Sequence, residues 1–151
     1  MEGHRNGSAY RLPVCAVGRK RDTNVFRPLS PDHPHDETWP GLLILRTEGS
    51  AFCANAQRVG EQMWPLIEAA RPKVVVLDGS AVINIEYTAL KLLAGAEDQL
   101  QASGTKLWLV GLNPHVLGML RRSRLGRALG PDRLFANVET AVAAYLKTPR
   151  G

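Results

Sequence analysis

Five polar residues lie between a short apolar run and a helical pattern, and their types and spacing point to a site. The run Val74–Leu77 stops abruptly, and the polar residues that follow it are Asp78, Ser80, Glu86, Tyr87 and Thr88. A buried strand that leads through a loop into a helix is the place where open α/β sheets bind their ligands. A helix amino terminus also attracts phosphate, because its N–H groups and dipole favour negative charge.

Two interpretations of these five residues stay open. In the structural one, the Thr88 hydroxyl caps the following helix and the helix dipole favours Glu86 beside it. In the functional one, the segment is a loop that recognises a partner or takes a phosphate group.

Catalysis needs a nucleophile with its base, or a metal site, and the sequence suggests neither. It has no Gly-x-Ser-x-Gly elbow and no Gly-Lys-Ser/Thr phosphate loop. The segment 33–37 (HPHDE) resembles a metal-ligand cluster in composition, but it lies in a proline-rich loop without a further cluster. His115, in the first turn of a helix, could reach a ligand but is better explained as a surface residue. We therefore predict a protein that is not an enzyme, with no catalytic residue and no metal site.

The elements that must position the five residues predict an α/β fold. Val74–Leu77 has no polar alternation, which is typical of a strand buried on both faces in the parallel centre of a sheet. Pro28 interrupts another apolar stretch and places it at a sheet edge. The predicted strands are Pro13–Gly18, Asn24–Leu29, Leu42–Arg46, Val74–Leu77, Lys106–Val110 and a short one within Arg133–Phe135, with Ala51–Cys53 as an extension or partner of the third.

Four helices follow from apolar spacing and capping residues. The first, Asn55–Ala70, places Ala70 on its inner face and is kinked by Pro65. The third starts at Asn113-Pro114 and runs into the basic stretch 121–127, and Asn137 caps the fourth. The second helix follows Thr88 and ends at Ser103-Gly104, with Ala89, Leu92, Leu93, Ala96 and Leu100 on its inner face.

Length and composition fit one soluble domain. The chain has 151 residues, 44% hydrophobic and 22% charged, and its net charge of +5 suits an anionic partner without selecting one. Cys15 and Cys53 lack disulfide or metal spacing and are interpreted as small buried hydrophobic residues. Because no apolar stretch reaches the roughly 20 residues of a membrane span and the amino-terminal segment MEGHRNGSAYR lacks the apolar core of a signal peptide, we expect a cytoplasmic protein. The domain is predicted over residues 13–147, between flexible tails at 1–12 and 148–151.

The pattern D-x-S-x-V-x-x-I-[D/E]-x-T-A-L, which runs from Asp78 to Leu90, resembles the STAS domain of SulP-type sulfate transporters and of bacterial anti-sigma-factor antagonists. The segment 41–59 (GLLILRTEGSAFCANAQRV) and Arg133-Leu-Phe are similar to the transporter branch. The resemblance implies a sheet of four to six mixed strands with a parallel core, covered mainly on one side by about four helices.

The resemblance also implies a regulatory function without catalysis. It suggests a domain that regulates a sulfate or anion transporter from the cytoplasmic face of the inner membrane. The partner would be the transporter's membrane domain or another cytoplasmic regulatory protein, and not nucleic acid. No cofactor is expected, although weak binding of a guanine or adenine nucleotide is compatible with the family. Arg121, Arg122 and Arg124 would suit contact with an anionic membrane surface.

The alternative is a stand-alone partner-switching protein similar to the anti-sigma-factor antagonists. In those proteins the helix is preceded by Asp-Ser-Ser-Gly, and its first serine is the kinase target. Tyr87 stands at that position here, so the resemblance does not carry a serine switch over to this chain. Thr88 aligns with the second hydroxyl residue and is a candidate phosphorylation site. The substitution at Tyr87 favours the transporter branch, with Asp78–Thr88 as a loop that binds a ligand or partner.

Overall fold

A six-stranded sheet forms the centre of the computed structural model, which describes residues 14–47 and 51–149, with residues 51–56 described by their backbone alone. The strands are β1 (Val14–Arg19), β2 (Phe26–Pro28), β3 (Leu42–Thr47), β4 (Val74–Asp78), β5 (Lys106–Val110) and β6 (Leu134–Phe135). Their order is β2-β1-β3-β4-β5-β6, with β1 antiparallel to both neighbours and β3 to β6 parallel. The predicted mixed sheet with a parallel core is confirmed, and the strand that contains Pro28 lies at an edge as expected.

Five helices in the described part of the chain cover this sheet, four of them on one face. They are α1 (Ala51–Ala70), α2 (Tyr87–Ala102), α3 (Pro114–Arg121), α4 (Arg124–Leu129) and α5 (Val138–Lys147), with a 3-10 turn at Pro131–Arg133. Leu45, Val75 and Leu107 belong to a buried cluster shared with α1 to α4. The alternate strand residues, such as Ile44 and Val76, pack with α5 on the opposite face. Because helices bury both faces of the sheet, β4 is a continuous apolar run. The prediction that the helices lie mainly on one side of the sheet is confirmed.

Two predicted boundaries are wrong. Ala51–Cys53 does not extend or pair with a strand, because its backbone forms the first turn of α1. The third predicted helix does not run through the basic stretch either. It ends at Arg121, and the Ser123 side chain accepts a hydrogen bond from the Gly126 amide at 3.3 Å, so a separate helix, α4, begins there.

The inner face of α2 is rotated from the predicted one. Leu92 is 42% exposed and Ala96 is half-buried, whereas Leu90, Ala94 and Glu97 are buried. Glu97 can face the interior because Arg133 donates a hydrogen bond to its Oε2 at 3.2 Å. Ala70, predicted on the inner face of α1, is exposed.

Several smaller predictions have mixed outcomes. Pro65 lies inside α1, and the kink there stays a prediction. Cys15 is half-buried on β1 rather than fully buried, and the side chain of Cys53 lies outside the described residues, as does the predicted tail 1–12. The domain bounds 13–147 stay a prediction.

Candidate functional site

Asp78 is the centre of the predicted loop, and its carboxylate organises the local backbone. It lies at the end of β4 and is buried. Its Oδ2 is 3.3 Å from Arg46 Nε, and its Oδ1 accepts a hydrogen bond from the Ser80 amide at 2.9 Å. Arg46, one residue before the end of β3, is in register with Asp78 and also donates to the Phe26 carbonyl at 3.0 Å. Each oxygen of the buried carboxylate therefore has a partner within the fold.

The close approach of two strand ends requires a glycine at position 111. Gly111 follows β5 with a φ of +75°, in the left-handed region that favours glycine. A Cβ added there would lie 3.1 Å from Asp78 Oδ1 and 3.0 Å from the Cβ of Ser80. Glycine thus allows the loop after β4 to rest directly against the end of β5.

Asn113 ties this loop to the next helix. Its Oδ1 accepts a hydrogen bond from the Val116 amide at 2.8 Å, which confirms the predicted cap of α3. Its Nδ2 donates to the carbonyls of Val82 and Ile83 at 3.2 and 2.9 Å. The second role was not predicted, because the sequence shows that Asn113 precedes a helix but not which loop lies beside it.

The start of α2 corrects the predicted role of Thr88. The helix begins at Tyr87 with Glu86 as its N-cap residue, in an extended conformation and without a side-chain capping bond. Thr88 therefore lies within the first helical turn, where its hydroxyl is no longer at the capping position. Ser80, Glu86, Tyr87 and Thr88 are all exposed, so the structure separates them from the buried Asp78.

Two large apolar side chains are exposed at the same place. Ile83 and Tyr87 are each 73% exposed, more than any other large hydrophobic residue that the structure describes. We call Ser80, Ile83, Glu86, Tyr87 and Thr88 the corner surface. Ile83 was missed in the sequence because it stands between Val82 and Ile85, which are both buried. An exposed apolar pair with a polar rim is a feature of protein contact sites.

The three histidines within the described residues have a local partner or lie in a loop. His115 is exposed, with its Nε2 3.1 Å from Asn84 Oδ1. In the loop after β2, Asp36 receives two hydrogen bonds from Arg27, which lower the pKa of this carboxyl group, and Glu37 pairs with Arg19 at 2.9 Å. Among residues 14–47 and 51–149, no three His, Cys, Asp or Glu residues are grouped to hold a metal ion.

The helices were also compared with the dimensions of a bilayer. None within the described part of the chain combines the length and apolar character needed to cross a membrane.

Comparison with known proteins places the chain in a family. A family model for the STAS domain matches residues 33–141. The chain is 27% identical over 145 residues to High affinity sulfate transporter 2 of Stylosanthes hamata, an alignment that covers 89% of this chain and 22% of the transporter. The chain therefore spans about a fifth of the length of that relative.

Solved structures share the fold. The murine anion transporter Slc26a9 in its inward-facing state superposes with a TM-score of 0.72 at 17% identity, over 89% of this chain and 22% of that one. A sulfate transporter family protein from Wolinella succinogenes gives 0.62 at 26% identity, over 77% of this chain and 94% of its own. The anti-sigma factor antagonist SpoIIAA gives 0.59 at 14% identity, over 76% and 96%. With the family model covering most of its length, the chain belongs to the STAS domain family.

Proposed function

We propose that this STAS domain regulates a SulP-type anion transporter from the cytoplasmic side of the membrane, without catalysis. The observation that carries the proposal is the alignment of 89% of the chain with a sulfate transporter. The corner surface would be the contact site for the transporter's membrane domain or for another regulatory protein. Its chemistry suits recognition, since Ile83 and Tyr87 are exposed while the nearby Asp78 carboxylate is held by Arg46 and Ser80.

Photo-crosslinking in the source cells tests this proposal. A benzophenone amino acid placed at Ile83 or Tyr87 should yield an adduct with a SulP-type membrane protein. Val25 provides a matched control, because it is an apolar residue that is 52% exposed in the turn between β1 and β2. Adducts that form equally from Val25, or only with soluble proteins from the corner surface, would contradict the transporter proposal.

A transport assay tests regulation itself. Ile83→Asp would place a charge on the corner surface without disturbing the core, because the native side chain is exposed. We expect altered sulfate uptake in cells that carry this variant, and unchanged uptake with Val25→Asp. Equal uptake in both would show that the corner surface has no regulatory role.

A second function, partner switching in the manner of the anti-sigma-factor antagonists, is favoured by one observation. Thr88 is exposed in the first turn of α2, where a phosphate would meet the positive end of the helix dipole. Thr88→Glu should then abolish binding of an anti-sigma factor or kinase in a pull-down, whereas Thr88→Val should retain it. If Thr88→Glu binds the anti-sigma factor or kinase as well as the wild type does, partner switching at Thr88 is contradicted.

Weak binding of GTP or ATP at the same loop is a further proposal. Titration of the nucleotide followed by amide NMR shifts tests it. Shifts confined to 78–88 would support it, and their absence at millimolar nucleotide would remove it.

A further inference from the structure

A basic cavity lies beside the corner surface, between α2 and the α3–α4 junction. Its volume is about 380 Å³, within the lower part of the range for small-molecule sites. Four cationic side chains line it, Lys91 from α2 and Arg122, Arg124 and Arg127 from the junction and α4. Tyr87 and Leu90 also line it. We call it the basic cavity.

The cations of this cavity outnumber the anions that could neutralise them. Arg124 Nη2 lies 3.3 Å from the Asp98 carboxylate at the protein surface. For Lys91, Arg122 and Arg127, the described part of the chain supplies no carboxylate within ion-pair distance. Like charges that converge without counter-ions repel one another, and an anion bound among them would relieve that repulsion.

The shape of the cavity distinguishes it from an ordinary solvated basic face. The cations approach from separate elements, and the apolar Leu90 and Leu125 form part of the wall. Both leucines are buried. Clefts lined by one sign of charge with low-dielectric walls focus the electrostatic field and concentrate counter-ions. The Tyr87 ring adds an aromatic wall, with Lys91 Nζ 5.8 Å from its centroid.

We propose that the basic cavity binds a ligand with two or more phosphate groups, either a soluble polyphosphate compound or the headgroup of a phospholipid that carries two phosphates, such as cardiolipin. Arginine favours phosphate because its planar guanidinium presents paired N–H donors to two oxygens at once. Several cations without counter-ions match a ligand of more than one negative charge. This ligand site is independent of the transporter proposal, since it rests on the cavity and its charges alone.

Calorimetric titration of the full chain with tripolyphosphate tests whether the ligand is a soluble polyphosphate. Flotation of the full chain with phosphatidylcholine vesicles that contain cardiolipin tests whether the ligand is a lipid headgroup. The test variant is the double substitution Arg122→Gln and Arg127→Gln. The matched control is Arg21→Gln and Arg58→Gln, which changes the net charge equally at exposed residues that do not line the cavity. All four arginines are exposed, so both variants are expected to fold.

We expect the cavity variant to weaken binding about tenfold or more and the control to change it less than about threefold. Loss of tripolyphosphate binding in the cavity variant alone supports a soluble ligand. Loss of vesicle binding alone, again only in the cavity variant, supports a lipid headgroup. Equal losses in the two variants would indicate diffuse attraction to a basic protein and overturn the proposal, as would binding to neither probe.

Discussion

Removal of the Arg46 side chain should destabilise the protein more than removal of its partner Asp78. In Arg46→Ala the Asp78 carboxylate stays buried but keeps only its bond from the Ser80 amide, and the Phe26 carbonyl also loses a donor. An unpaired buried charge costs about 3–5 kcal/mol. Because the Arg46 side chain is 25% exposed and its Nε lies a long 3.3 Å from Asp78 Oδ2, we expect Arg46→Ala to cost about 3 kcal/mol, the lower end of this range.

The two substitutions of Asp78 should cost less, in a defined order. Asp78→Asn can retain an acceptor for the Ser80 amide and loses only the ion pair, which we estimate at about 1–2 kcal/mol. Asp78→Ala loses that hydrogen bond as well, for a total of about 2–3 kcal/mol. In both variants the partly exposed Arg46 side chain can be solvated by water, whereas the buried Asp78 carboxylate of Arg46→Ala cannot.

Urea unfolding followed by far-UV circular dichroism measures these differences. With a slope near 2 kcal/mol per M, Arg46→Ala should lower the midpoint by about 1.5 M. Arg58→Ala is the control, because Arg58 is exposed on α1. The reasoning is refuted if Arg46→Ala lies within about 1 kcal/mol of the wild type, or if the Arg46 and Asp78 losses simply add in the double variant.

Three further predictions concern Glu97, Asn113 and Gly126. Burial raises the pKa of Glu97, so the folded protein retains a proton that the unfolded chain has lost, and the free energy of unfolding should fall as pH rises from about 4 towards neutral. In urea unfolding across that pH range, Glu97→Gln should flatten this dependence. If the variant keeps the same pH dependence as the wild type, Glu97 is not its source. Asn113→Ala should lower the free energy of unfolding by about 2–3 kcal/mol, because it removes a helix cap and two hydrogen bonds to the loop after β4. Amide hydrogen exchange should then become faster at residues 79–86 than elsewhere, and a uniform increase along the chain would contradict the role of Asn113 in holding this loop. Gly126→Ala should cost about 2 kcal/mol or more in thermal unfolding, because the new Cβ would meet the Leu120 backbone, whereas Gly95→Ala, with open space at that Cβ, should not destabilise.

Periodicity and capping residues predicted most of the fold, because these signals are local. The continuous apolar run of β4 indicated its central place, and Asn113 and Asn137 marked the starts of α3 and α5. The inner face of α2 was mispredicted where burial depends on a distant partner. Glu97 reads as a surface residue until Arg133, 36 positions later, is placed beside it.

The candidate site was predicted as a set of residues but not as an arrangement. The sequence brought Asp78 and Thr88 into one loop, whereas the structure buries the first and exposes the second. Ile83 escaped notice because exposure of one apolar residue between two buried ones is decided by the path of the loop. The basic stretch 121–127 was visible as charge, but its union with Lys91 in one cavity depends on how α2 packs against α4.

The edges of the sheet limit how copies of this protein can associate. β2 has three residues, including Pro28, which cannot donate a backbone hydrogen bond, and β6 has two. Neither edge offers a long row of unpaired amides and carbonyls on which a foreign strand could align. Edge-to-edge aggregation and partner recognition by strand addition are therefore both disfavoured, and assembly is directed to helices and loops.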